Sequence, residues 1–279
     1  SINKAIILQA ANKGDAVFTS KVTMNTPAAG DFRSKIDGFV FDNCTLDVSK
    51  AQNLDVTNNE FKNIVVNDAD HAVALTVSGA KNVTVDSNIF GDMTQGSYYA
   101  LVSVAGSYNA GMHISAWGMP ADSTTTITNN TFGAACVDAI NANGANTANF
   151  VVTGNVFSGD WGSSYLNPAG GISVQKNVWA RNAGFAFNVY NAGNVTVNNN
   201  QFRNPEMANR NILGIAGAKG AVAVSGNYFD AYESTVQGWM SNTPATLTNY
   251  GTYGVESDVN KDYKIFVTAS GNIFAAAAK

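Results

Sequence analysis

Apolar and polar residues alternate in short stretches along most of this chain. The alternation recurs as one eight-residue pattern: apolar, any, apolar, any, any, Asn, any, aromatic. The copies are LDVTNNEF ending at Phe61, VTVDSNIF at Phe90, TTITNNTF at Phe132, FVVTGNVF at Phe157, ISVQKNVW at Trp179, VTVNNNQF at Phe202, VAVSGNYF at Phe229 and VTASGNIF at Phe274. A ninth, FVFDNCTL, ends at Leu46 and carries Cys44 in the Asn slot. A period of two predicts strands, and a motif repeated at intervals of one coil predicts a stack of coils.

Each motif position has a physical reason. Val83 and Val85 point to one side of a strand while Thr84 points to the other. The two residues that follow turn the chain. The Asn is expected to take the left-handed conformation of a sharp bend and to bond through its amide to the Asn of the next coil. The aromatic then enters the core and stacks along the axis. Further upstream, Ala74 to Phe90 aligns without gaps to Ala186 to Phe202, which adds a second strand in which Leu75 and Val77 match Phe187 and Val189. The unit reads strand, turn, strand, Asn turn, strand.

The Asn slots (44, 59, 88, 130, 155, 177, 200, 227, 272) are separated by 15, 29, 42, 25, 22, 23, 27 and 45 residues. Most steps fit one coil, the first a truncated coil, and the two longest an extra coil or an insertion. The fold class expected is all-β: a single-stranded right-handed parallel β-helix, or β-solenoid, of about ten coils. Residues 1–35 are expected to be an N-terminal cap, with Ile2, Ile6, Ile7 and Ala10 spaced for a short amphipathic helix. The β-helix then spans 36–274, with loop insertions at about 91–124 and 230–264, and 275–279 is a C-terminal tail. The segment from Asp230 to Asp262, or a partner chain, is expected to help cover the far end.

Composition narrows the function. Charged residues make up 13% of the chain, against about 25% in an average domain. The 16 Lys and Arg are scattered and the net charge is -4, which argues against nucleic acid as a partner. No apolar run approaches the roughly 18 residues of a membrane span, so membrane insertion is not expected. The two cysteines, Cys44 and Cys136, match no metal spacing and are read as buried thiols. The Gly214 to Gly220 segment lacks the Ser or Thr that a phosphate loop places after its Lys. No cofactor and no metal site is expected.

Candidate sites lie mainly in the excursions. The long segments after Phe90 and Phe229 leave the repeat at the same phase, so they project from one side. They carry Tyr98, Tyr99, Tyr108, Trp117 and Met119, and Tyr232, Trp239, Met240, Tyr250 and Tyr253; a shorter one carries Trp161 and Tyr165. Such an aromatic, charge-poor face suits a protein interface or a sugar-stacking groove. For acid–base chemistry the candidates are Asp68, Asp70 and His71 on one turn, with Asp138 and Asp160 near strand ends. His113, beside Met112 and Ile114, reads as structural.

The Asn ladder and the three-part coil resemble the pectate-lyase-like β-helix family, and within it the spike and decoration β-helices of bacteriophage virions. In the enzymes of that family, lyases use calcium-binding acids with an Arg or Lys. Polygalacturonase-like members carry Asn-Thr-Asp, Asp-Asp and Gly-His-Gly motifs, and none of these occurs here. The resemblance implies a non-catalytic structural or adhesive β-helix at a virion surface or in the extracellular space. Protein partners in a larger assembly, a homotrimer and a polysaccharide are the partners it implies. The alternatives are an extracellular polysaccharide-degrading lyase or glycoside hydrolase, and a glycan-binding module without turnover.

Overall fold

The computed structural model describes residues 1–97, 110–136, 138–145, 147–158, 186–203, 213–218, 220–230 and 266–274. Three parallel sheets account for almost all of its strands. The first contains Ile7–Gln9, Ser34–Asp37, Gln52–Thr57, Lys81–Asp86, Thr124–Thr128, Asn149–Thr153, Val195–Asn198, Ala221–Ser225 and Phe266–Ser270, in that order. The second contains Val17–Phe18, Val40–Asp42, Glu60–Lys62, Ile89–Phe90, Thr131–Phe132, Val156–Phe157, Gln201–Phe202, Tyr228–Phe229 and Ile273–Phe274. The third runs from Val22–Thr23 through Leu46–Asp47, Val73–Thr76, Met112–Met119, Ile140–Gly144 and Phe187–Ala192 to Leu213–Ala218. The chain visits first, second and third sheet in turn and returns to the first one place further along. That cyclic order is compatible with a β-solenoid, and each circuit is called a rung below.

The motif explains the core. Its second apolar position forms one column, Ile36, Val56, Val85, Ile127, Val152, Val197 and Val224, paired in register across the first sheet and buried throughout. Beside it the motif aromatics stack face to face. Ring centroids from Phe41 through Phe61, Phe90, Phe132, Phe157 and Phe202 to Phe229 lie 4.7–4.9 Å apart, with planes within 11° of parallel. This is the spacing of adjacent strands, so each ring sits one rung from the next.

The neighbouring apolar column runs Leu54, Val83, Thr125, Phe150, Val195 and Val222. Thr125 is 1% exposed and its hydroxyl has no hydrogen-bond partner. A buried hydroxyl without a partner costs on the order of 1–3 kcal/mol. Thr125→Val keeps the shape and removes the hydroxyl, so it should stabilise the protein by roughly 1–2 kcal/mol, read as a higher denaturation midpoint at unchanged slope.

The Asn ladder follows the motif. Asn59, Asn88, Asn130, Asn155, Asn200, Asn227 and Asn272 occupy successive rungs. From Asn88 onward each side-chain oxygen accepts from both the backbone N–H and the side-chain amide of the Asn before it, at 2.9–3.1 Å. Each amide also donates to a carbonyl of the preceding rung, as Asn130 does to Val85 at 2.9 Å.

Four expectations are corrected. First, the left-handed residue is the one before the ladder Asn: Gly38, Asn58, Ser87, Asn129, Gly154, Asn199, Gly226 and Gly271, with φ between 54° and 83°. The ladder side chain must reach the next rung, so the preceding residue absorbs the bend. Second, Cys44 is not in the Asn slot. Phe41 pairs with Phe61 and Val40 with Glu60, which places Phe39 there, with its N–H donated to Asn59 Oδ1 at 3.0 Å. The true step is therefore the 20 residues from 39 to 59, and the truncated coil disappears. Third, the copy ending at Trp179 lies outside the described residues, and no rung intervenes between those ending at Phe157 and Phe202. Asn149–Thr153 pairs directly with Val195–Asn198, and the two rings are 4.8 Å apart. Among the described residues there are nine rungs, not ten.

The fourth correction concerns the N-terminus. Ile7–Gln9, Val17–Phe18 and Val22–Thr23 form the first rung in place of a helical cap. Ile6, Leu8 and Ala10 alternate inward at period two, whereas Ile7 is 56% exposed. The segment pairs as strand because the next rung offers Lys35 N–H to Ile6 O and the Asp37 carbonyl to Ala10 N–H, both at 2.9 Å.

Candidate functional site

The corner between the second and third sheets, together with the outer face of the third, collects the chemistry-bearing side chains. Segments 159–185 and 204–212 each join a second-sheet strand to a third-sheet strand, 98–109 lies between Thr94–Gln95 of a two-stranded sheet and the third-sheet strand Met112–Met119, and 231–265 follows the second-sheet strand Tyr228–Phe229. Tyr98, Tyr99, Tyr108, Trp161, Tyr165, Tyr232, Trp239, Met240, Tyr250, Tyr253 and Asp160 lie outside the described residues, as does most of the Asp230 to Asp262 segment. The expected 91–124 insertion narrows, because Thr94–Gln95 pairs with Val65–Val66 and Met112–Met119 is a full third-sheet strand.

Asp68, Asp70 and His71 share one turn at this corner. Asp68 caps the short 3-10 helix Ala69–His71: its Oδ1 accepts from the N–H groups of Asp70 and His71 and lies 2.6 Å from His71 Nδ1. That bond from His71 is the main reason the Asp68 carboxyl is held below the usual carboxylate range. Asp70 takes Lys21 Nζ at 2.9 Å, and Asp47 lies 3.7 Å from the same ammonium. Lys21, Asp47 and Asp70 come from three successive rungs, so the cluster ties the first rungs together at the surface.

Asp138 is 1% exposed and accepts a hydrogen bond from Asn141 Nδ2. It precedes the fifth-rung strand Ile140–Gly144, whereas Asp68 belongs to the third rung. Strand spacing separates them by about 10 Å along the stack.

His113 is wholly buried. Its ring lies 5.7 Å from the Phe90 ring and 5.8 Å from that of Phe132, Nε2 is 3.0 Å from the Gly91 carbonyl, and Nδ1 has no partner. Burial pushes its pKa down to about 4 from 6.5, opposed only in part by the Gly91 carbonyl and Asp92. A base whose folded value is depressed stabilises the fold fully above the unfolded value of 6.5, and that contribution is lost as pH falls toward 4. The loss should be about 3 kcal/mol. Denaturation followed from pH 7 to 4 should show it, and His113→Phe should flatten the slope in that window whatever its effect at pH 7.

Trp117 is the one aromatic candidate that the structure describes, and it stands on a strand. Ala116 pairs with Ala142 but Met119 with Gly144, so one extra residue is inserted, and Gly118 takes φ 63°. This bulge re-aims the indole. Trp117 is 40% exposed, its N–H is donated to Ser78 Oγ at 3.3 Å, and its Nε1–H is donated to Asn141 Oδ1 at 2.9 Å. Asp138, Asn141 and Trp117 therefore form one hydrogen-bonded chain from a buried carboxylate to an exposed ring. Sequence reading passed over Asn141; the signal for the bulge was a Gly inside an alternating strand. Met119, placed with the excursion aromatics, is 1% exposed and belongs to the core.

Cys44 and Cys136 are both buried, and burial raises the Cys44 thiol to about 11. Among the described residues no group of three or more His, Cys, Asp or Glu side chains is arranged to hold a metal ion, and no helix is long and apolar enough to cross a membrane. No family model, no curated protein and no solved structure matches this chain.

Proposed function

We propose that the chain is a right-handed parallel β-helix of the pectate-lyase-like kind. It acts as a structural or adhesive rod of a large surface assembly, as virion spike and decoration proteins do, outside the cell or on a virion. The right hand follows from the strong preference of parallel strand crossovers. The observation that carries the reading is the continuity of the two axial ladders. A ring stack from the second to the eighth rung and an amide ladder from the third to the ninth each resist bending over roughly 30 Å, which suits a body that transmits or presents contacts more than one that closes around a substrate.

The assembly partners are proteins, in the simplest case two further copies in a homotrimer, and the excursion side is the docking side. The second reading, a polysaccharide-cleaving enzyme, is favoured by one observation, the buried carboxylate of Asp138 beside Asn141. Light scattering and small-angle scattering separate the two when run with reducing-sugar and unsaturated-uronate assays on bacterial and plant polysaccharides. An elongated particle at three times the 29.2 kDa chain mass, with no product released, supports the rod. Product release that Asp138→Asn abolishes overturns it in favour of the enzyme.

A further inference from the structure

We infer that the Trp117 indole is a stacking platform for a neutral pyranose unit of a glycan. This rests on the adhesive form of the reading above and names its ligand class. Three observations carry it. The ring is fixed before any ligand arrives, because the bulge at Gly118 sets the backbone and Asn141 holds Nε1, with Asn141 in turn held by Asp138. A rigid aromatic with a tethered polar edge loses little freedom on binding.

The outward positions beside it are polar. The outward column in register across the third through fifth rungs is Thr76, Ser115 and Asn141. The other large exposed apolar side chains among the described residues, Ile7, Val17, Phe32, Ile89 and Ile273, stand on other sheets or loops. A stable protein interface needs about 800 Å² from each partner around an apolar centre, and one indole amid hydroxyls and amides does not provide that centre. A pyranose presents an apolar C–H face ringed by hydroxyls, which is the complement of this arrangement. Asp47, next to Thr76 in that column, and Asp138, behind Asn141, are carboxylates, which disfavours uronates and leaves neutral sugars as the ligand class.

Cello-, chito- and malto-oligosaccharides titrated against the full chain, read by calorimetry and tryptophan fluorescence, test the proposal. Binding of at least one of them is expected, weakened about tenfold or more in Trp117→Ala and less in Trp117→Phe. Asn141→Ala should weaken binding severalfold and shift the indole Nε1–H resonance of Trp117 in the free protein, which a purely structural loss elsewhere would not do. If the wild type binds none of the three, or if Trp117→Ala binds as the wild type does, the proposal is overturned. Neither result touches the rod, which stands or falls on particle shape, mass and turnover.

Discussion

Asn130→Ala should destabilise the protein by about 3–5 kcal/mol, the largest loss expected of any polar substitution here. The side chain makes four hydrogen bonds in a position 1% exposed. Its oxygen accepts from Asn88 N–H at 2.9 Å and from Asn88 Nδ2 at 3.0 Å; its amide donates to the Val85 carbonyl at 2.9 Å and to Asn155 Oδ1 at 3.0 Å. Alanine removes none of the partners, so two donors and two acceptors stay buried and lose a bond. A chain of amides also polarises its members, and a break at the middle weakens both sides. Asn272→Ala should cost clearly less, because its bonds to Asn227 are only partly buried at the last described rung. Denaturation midpoints at constant slope check both, and a loss under 1 kcal/mol at Asn130 would mean that water or a local shift replaces the ladder.

Much of this was legible in the sequence, for a reason visible in the structure. Most rungs place an apolar pair, an amide and a ring at the same height, so the constraint repeats and the letters repeat with it. Leu75 and Phe187, matched by alignment alone, lie in one third-sheet column through Ile114 and Ile140. The misreadings fall where the constraint relaxes. At the first ladder position nothing below needs an amide, so Phe39 stands there and the pattern slid five residues to Cys44. The left-handed site was placed one residue late, since Asn, Gly and Ser all fill it and only the backbone shows which residue bends.

The candidate site was less legible for the opposite reason. Trp117 was chosen by residue type and drawn into a loop, while its strand, its bulge and its tether to Asn141 depend on pairing with a rung more than twenty residues on. Nor do the letters around Asp138 separate a solvated acid from the buried one that orients an amide. The candidate site lies where the repeat breaks, and a single sequence gives each break only one instance.

Phe132→Ala is the apolar counterpart of the ladder break and should cost about 4–5 kcal/mol. The ring is fully buried between Phe90 at 4.9 Å and Phe157 at 4.7 Å. Truncating a buried Phe usually costs about 3–5 kcal/mol, and two stacked contacts add roughly 0.5–1.5 kcal/mol each. The stack cannot close the gap, because the ladder and the first sheet hold the rungs at strand spacing, so the upper part of the range applies. Phe132→Leu refills most of the volume without the stacking and should lose only about 1–2 kcal/mol. A second consequence ties the two aromatic features together. Phe132 is one wall of the His113 cage, so alanine there admits water to the imidazole and lets its pKa rise from about 4 toward 6.5. The acid-dependent loss between pH 6.5 and 4 should therefore shrink in Phe132→Ala even as total stability falls. Denaturation series across that range for wild type, Phe132→Ala, His113→Phe and the double variant measure the coupling, and strictly additive losses at pH 7 and pH 4 would show that the ring and the imidazole do not act as one packed unit.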